Sequence, residues 1–349
     1  MNKFLSFLAA AFAGLSSMSA VSAGIDHSES PAQVKVFYYS LSDPFIGHLS
    51  ISLQDQAIGS MIRVTQYDAQ GSLQRQLEQL EFVLNGQSDR TPVMVNPVDN
   101  HDGSEALEIA RRHNVPVIFF NRRPSDEVMN SYPDAWFVGT NPELAGIIQG
   151  QMVSEYVKSH PEMDRNGDGI ISYLMFKGES NHEDTEQRTS AFVRNIANAG
   201  VKFVQLNAAY CDWSRPRAFT VMNNLISRHG LDGIELVVCN SDSMALGVID
   251  ALQDRGYNRT ETSDGSESPL IPVFGIDALS AALDAVERGI MAGTVLNNYS
   301  ATADVLLRIV EGYLYGEQID SDFLGYPVMN RTVEVPYVKV NTDTVYLLR

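Results

Sequence analysis

Short apolar runs alternate with amphipathic segments from Val34 nearly to the C-terminus, and this alternation limits the fold more than any other feature of the chain. The runs at 34–39, 62–66, 91–95, 115–120, 170–176, 201–206, 235–238, 271–274 and 293–296 are mostly rich in Val, Ile and Phe, the pattern of strands covered on both faces. Between them apolar residues recur three and four apart, as in Leu144, Ile147, Ile148, Met152 and Tyr156, which marks helices burying one stripe. Such alternation builds parallel sheets from right-handed βαβ units. The strand count is high for one sheet, and a break falls near Gly139-Thr140. The expected class is therefore α/β, with two Rossmann-like, doubly wound parallel-sheet domains.

The start of the chain predicts its compartment. Lys3 precedes an uncharged apolar run at 4–15, and Val21-Ser22-Ala23 carries small or apolar residues where a signal peptidase reads. The run is shorter than the roughly 20 residues a membrane span needs. Residues 1–23 read as a cleaved secretory signal, with mature protein from about Gly24. No later apolar stretch is long enough to span a bilayer, so the exported chain is expected to be soluble. Its formal charge of −18, from 25 Lys and Arg against 43 Asp and Glu, argues against nucleic acid as a partner. Cys211 and Cys239 are too few for a disulfide scaffold; one bridge and two buried thiols both remain open. The segments 164–169 and 258–269 (NRTETSDGSESP) read as surface loops by composition.

Open parallel sheets bind ligands at the carboxyl ends of their strands. The residues just past each run here are repeatedly polar or aromatic: Asp43 and Phe45 after 34–39, Asn121 with Arg122 and Arg123 after 115–120, Asp212-Trp213 after 201–206. Asn240, Ser241 and Asp242 come after 235–238, Asp277 after 271–274, and Asn297 after 293–296. Asp and Asn are also common helix caps and turn residues, but capping has no use for Phe45 or Trp213. The set suits a sugar. Carboxylates and amides meet ring hydroxyls, and flat side chains cover the apolar C–H faces.

A second motif lies at 164–172. Asp164-Arg-Asn166-Gly-Asp168-Gly169-Ile170-Ile171-Ser172 matches the first nine positions of an EF-hand calcium loop, with oxygen ligands at one, three, five and nine, the Ile170 carbonyl at seven and glycine at six. Position twelve is Met175, a poor ligand for a hard cation, so the missing carboxylate has to come from elsewhere. The expected role of Ca2+ here is structural. The seven histidines show no HxxxH or HxH spacing, so a His-based metal site is not expected.

The stretches VPVIFFNRRPS (115–125), FVGTNPELAGIIQG (137–150), the calcium loop, KGESNHEDTEQR (177–188), SDSMALG (241–247), IPVFGIDAL (271–279) and AGTVLNN (292–298) resemble the galactose/glucose-binding proteins of bacterial ABC transporters, which are type I periplasmic binding proteins. The likeness runs from about Val34 to Val338. It implies two lobes closing on a hexose, with sugar contacts from Asp43, Phe45, Asn121, His182, Asp184, Arg188, Trp213, Asp277 and Asn297. It also implies Glu235 as the distant calcium carboxylate. One position departs: the family carries Asn where this chain has Ser241, which is shorter and offers one donor instead of two, so the glucose-versus-galactose preference is open. The resemblance further implies a monomer that delivers sugar to a membrane ABC permease, and to a chemoreceptor in some members. We expect one lobe at 31–139 plus 298–329, a second at 140–297 plus 330–349, and a three-segment hinge near 139, 297 and 330.

Two other classes compete. A sugar-responsive repressor needs an N-terminal helix-turn-helix of about 60 residues, where a signal sequence is expected instead. A glycoside-processing enzyme needs an acid and base carboxyl pair across the scissile bond, and no motif supplies one. The expectation is binding without catalysis, in the periplasm. A different monosaccharide, or a sensor without a transport role, is the alternative.

Overall fold

The computed structural model describes residues 30–98, 103–260 and 268–348; the expected signal segment 1–23 lies outside them. Each of the nine apolar runs contains a strand. These are β1 (Ala32–Tyr38), β2 (Ile62–Asp68), β3 (Val93–Val95), β4 (Val117–Phe120), β6 (Ile170–Lys177), β7 (Lys202–Tyr210), β8 (Leu236–Cys239), β9 (Val273–Phe274) and β10 (Thr294–Leu296). Four more were not expected: β5 (Ala135–Gly139), β11 (Val328–Met329), β12 (Thr332–Glu334) and β13 (Val338–Val340). All but β5 are two or three residues long, too short for a periodicity to register.

The first sheet runs β11-β12-β5-β4-β3-β1-β2 and is parallel except for β11 against β12. The second runs β7-β6-β8-β9, all parallel, and isolated bridges from Phe274 to Gly293 and from Asp277 to Leu296 extend it to the antiparallel pair β10-β13. Both sheets are doubly wound. On the first, helices Pro44–Ala57 and Tyr299–Tyr315 bury Ile46, Leu49, Leu306 and Val310 against one face. Helices Leu73–Asn85 and Ser104–Arg112 bury Leu80, Leu84 and Leu107 against the other. On the second, helices Arg215–His229, Asp242–Gln253 and Ser280–Glu287 cover one face, and Pro142–Ser159 with Glu183–Ala197 the other. Each fully buried Leu or Ile of this kind contributes about 1.5–3 kcal/mol. Among the described residues, no helix is long and apolar enough to cross a membrane.

The chain leaves the first sheet after Gly139, returns after Asn297, and crosses for the last time after Glu334. Residues 330–334 were expected in the second lobe; they belong to the first sheet, because β12 pairs in parallel with β5 along Thr332–Phe137 and Glu334–Gly139. A second correction concerns Asn258, read as surface loop. It is buried, and its side chain ties Ile271 N and O and Ile290 O at the base of the insert. The cysteines are free and buried. Cys211 N donates to Lys177 O on one side of β6, while Cys239 pairs with Phe176 on the other. Two strand spacings, about 9–10 Å, separate them, beyond the reach of a disulfide.

Candidate functional site

The carboxyl ends of both sheets face one cavity. Asp43, Phe45, Asn121, His182, Asp184, Arg188, Trp213, Ser241, Asp277 and Asn297 all line it. Tyr39, Ile46, Arg122 and Ser243 line it too, and sequence reasoning had not assigned them. Tyr39 closes the run 34–39 and Arg122 comes directly after Asn121, so the strand-end rule already contained the signal for both.

Several of these side chains are fixed by capping. Asp43 caps helix Pro44–Ala57 through Oδ1, which accepts from Ile46 N at 3.0 Å, while Oδ2 accepts from Tyr39 Oη at 2.7 Å. His182 caps helix Glu183–Ala197 by accepting the Asp184 N–H at Nδ1, 3.1 Å away. Burial lowers the His182 pKa, so the ring is neutral and its proton sits on Nε2, free to donate. Ser241 Oγ accepts from Met244 N at the start of helix Asp242–Gln253, which leaves its hydroxyl hydrogen for a ligand. Asn121 Oδ1 accepts from Asn96 Nδ2, leaving its own amide N–H groups available.

Positive φ angles aim other residues. Asp212 and Trp213 have φ of 50° and 58°, and Asp277 has φ of 120°. Non-glycine residues rarely adopt such angles, and they persist where surrounding structure imposes them at a site. Trp213 lies against Gly178, where an added Cβ would stand 2.1 Å from the indole Cη2. His182 meets the indole edge-on at 5.3 Å between centroids.

Charge concentrates around Arg188, which is 3 % exposed. Nη1 donates to Asn240 O at 2.8 Å, and Nη2 donates to Asp184 Oδ2 at 2.9 Å and Tyr337 Oη at 3.0 Å. Asp277 Oδ1 lies 3.9 Å from Nη1. Burial opposes the guanidinium charge, but Tyr337, Asp184 and Asp277 outweigh it, so the pKa is raised. Nε is buried without a partner among the described residues. A buried unpaired donor is costly, and here it borders a cavity that a polar ligand could fill. Arg122 enters from the other lobe, stacked 3.7 Å over the Tyr39 ring and donating to Val98 O and Glu179.

Burial lifts the Asp277 carboxyl to about 7, against the pull of Arg188 and with a push from Asp43. A ligand whose hydroxyls donate to this group binds its ionised form. Affinity should therefore rise with pH through 7 and fall roughly tenfold from pH 8 to pH 6 for a pKa near 7. Calorimetric titration at the two values checks this, and Asp277→Asn should flatten the profile.

The Asp-rich loop sits apart, between helix Pro142–Ser159 and β6. Asp164 accepts from Gly167 N, Asp168 N and Gly169 N, and both glycines have φ above 70°. Glu235, 2 % exposed, reaches the loop: Oε1 accepts from Arg165 N at 2.9 Å and Oε2 from Ser172 N at 2.8 Å. Among the described residues no group of three Asp, Glu, His or Cys side chains is placed to hold a metal ion by those side chains alone. The donor set of Asp164, Asn166, Asp168, Glu235 and the Ile170 carbonyl is all oxygen, with Ser172 beside it, and that chemistry suits a hard cation.

Residues 34–318 match the family model described as a periplasmic binding protein domain. The chain is 28% identical to the D-galactose/methyl-galactoside binding periplasmic protein of Haemophilus influenzae, over 89% of this chain and 90% of that one. It is 24% identical to the ribose import binding protein of Bacillus subtilis, over 80% and 81% respectively. Among solved structures, a periplasmic solute binding protein of an ABC transporter from Actinobacillus succinogenes, with bound D-allose, superposes with a TM-score of 0.74 at 15% identity, covering 90% of this chain and 99% of that one.

Proposed function

This chain belongs to the periplasmic binding protein family, and we propose that it captures one hexose, D-galactose or D-glucose, in its central cavity and delivers it to an ABC permease. The observation that carries this reading is the convergence on one cavity of seven strand-end residues from both sheets with His182, Asp184 and Arg188 of helix Glu183–Ala197 and its cap, and an unpartnered guanidinium N–H left over. Asp43, Asp184 and Asp277 accept from ring hydroxyls. Asn121, His182, Arg188, Ser241 and Asn297 donate or accept according to the epimer, and Phe45 and Trp213 cover the two C–H faces. Neutral His182 and charged Arg188 supply donors on the same side as two carboxylates, a mixture that matches hydroxyls, each of which donates and accepts. No bond needs to break. Ligand contacts made from both lobes favour the closed state over the open one, and that closed surface is what a permease or a chemoreceptor reads in the periplasm.

A calorimetric panel of galactose, glucose, xylose and ribose tests the reading on the mature protein. Galactose or glucose should bind tightest. Silence with galactose and glucose would end the galactose or glucose reading, silence with every monosaccharide would end the monosaccharide reading, and a pentose binding tighter than both hexoses would move it to the ligand class of the ribose-binding relative.

The same family premise extends to the Asp-rich loop, which we assign to structural Ca2+. Asp164, Asn166, Asp168, the Ile170 carbonyl, Ser172 directly or through water, and Glu235 would hold it. The ion would supply only charge neutralisation and cross-linking of the loop to β8. Chelation should lower the melting temperature by roughly 5–10 °C, on the scale of about 4 kcal/mol of binding linkage, and leave hexose affinity within about threefold. A melt indifferent to chelator and to added Ca2+ would count against the metal.

A further inference from the structure

Arg188 bonds the last chain crossing directly and reaches the first and the middle one through a single side chain each. Thr140 lies on the first, between β5 and helix Pro142–Ser159, and Tyr337 lies on the last, between β12 and β13. Their hydroxyls share a hydrogen bond of 2.7 Å. Tyr337 Oη also accepts from Arg188 Nη2 at 3.0 Å. Asn297, on the middle crossing, donates from Nδ2 to Asp277 Oδ1 at 3.4 Å, and that oxygen is the one 3.9 Å from Arg188 Nη1. The guanidinium carbon stands 5.7 Å from the Trp213 ring and 5.9 Å from the Tyr337 ring.

We propose that Tyr337, which does not line the cavity, is a positioning residue for it: through the Thr140–Tyr337–Arg188 chain it orients the guanidinium and ties that orientation to the hinge. The inference rests on the hexose reading for its binding consequence, though not for its geometry. Planarity carries the argument. A guanidinium held at Nη1 by Asn240 O and at Nη2 by both Asp184 and Tyr337 has no freedom to rotate about its long axis, so Nε keeps one direction. Without the Tyr337 hydroxyl, Nη2 keeps a single side-chain partner, Asp184, four residues back on the same helix, and can move with that helix. Tyr337 is the partner that anchors the group to the crossings instead. Val335 N bonds to Gly139 O at 2.8 Å, so the first and last crossings run side by side where the two hydroxyls meet. Any change in the angle between the lobes that displaces these two segments displaces the acceptor of Arg188 with them.

The test compares Tyr337→Phe, Thr140→Val and the double variant with wild type in the full mature chain. Titration with galactose and glucose should give a Kd at least tenfold weaker for Tyr337→Phe and several-fold weaker for Thr140→Val. The double variant should be no weaker than Tyr337→Phe alone, because the two hydroxyls act as one chain. Effects that multiply, or wild-type affinity in Tyr337→Phe, would overturn the proposal. A ligand-free readout stands beside it: NMR of the Arg188 side chain, assigned by loss of its signals in Arg188→Lys, should show restricted rotation about Cζ–Nε in wild type and faster rotation in Tyr337→Phe. Unchanged rotation overturns the positioning role whatever the ligand. If wild type binds no monosaccharide while Tyr337→Phe still frees the guanidinium, the hexose reading fails and the positioning role stands.

Discussion

Arg188→Met should abolish measurable hexose binding and lower the unfolding free energy by about 3–5 kcal/mol, the cost of removing one partner from a buried charge network. The side chain length is kept, so cavity formation is a minor part of the loss. What disappears is the charge that allows Asp184 and Asp277 to stand near each other below a cavity. Asn240 O loses its Nη1 donor, and Tyr337 Oη its Nη2 donor. Asp277, already raised to about 7 by burial, loses the one group that lowers its pKa most, so the carboxyl rises further and binds a proton in the folded state. A carboxyl raised on folding stabilises below its unfolded pKa and loses that contribution as pH climbs through the folded value. The variant should therefore recover part of its deficit near pH 5 and be at its weakest near pH 8. Urea unfolding at both values, with titration calorimetry at pH 7.5, reads all three effects. A stability loss under about 1 kcal/mol at pH 8, with hexose affinity within tenfold of wild type, would remove Arg188 from the centre of the site.

Most of the scaffold was legible because it depends on composition at the scale of a whole strand. Runs such as 170–176 and 235–238 have no polar face, and only a sheet covered on both sides accommodates that. Short elements escaped the same logic. β12 has three residues, one of them Glu334, and it joins the first sheet only because β5 offers an open edge; pairing partners of that kind are set by tertiary position. The last crossing was misplaced by a few residues for this reason. At the cavity, strand-end position found the polar residues just past the apolar runs. Arg122 and Tyr39 were readable but ambiguous, since an arginine after Asn121 serves equally well as a solvated charge. Their shared arrangement, a guanidinium stacked on a phenol that donates to Asp43, joins three strand-end residues from two strands, and no spacing along the chain encodes it. Tyr337 was invisible for a further reason: it lies on a crossing segment, where neither periodicity nor the strand-end rule applies.

Trp213→Ala should weaken hexose binding by about 2–4 kcal/mol, roughly thirty- to a thousand-fold in Kd, the range of a central aromatic anchor. Its cost to the fold should be much smaller, because the indole is only partly buried and packs at the margin of its core. Truncation alone leaves an ambiguity between lost stacking and a collapsed loop, since an alanine at φ 58° keeps the strain that a tryptophan bore. Gly178→Ala resolves it. A methyl there would stand 2.1 Å from two indole carbons and 2.5 Å from Thr185 Oγ1, so the ring must move while every atom of Trp213 remains. If ring position is what binds, Gly178→Ala should lose affinity on the same scale as Trp213→Ala, although Gly178 does not line the cavity. Trp213 is one of two tryptophans in the chain, and the other, Trp136, lies in the first sheet bonded to Tyr313 Oη. The ligand-induced change in emission should therefore vanish in Trp213→Ala and shrink in Gly178→Ala. Wild-type Kd values in both variants would take the indole out of the binding surface and leave Phe45 alone to cover one C–H face, with the polar set holding the sugar by its edges.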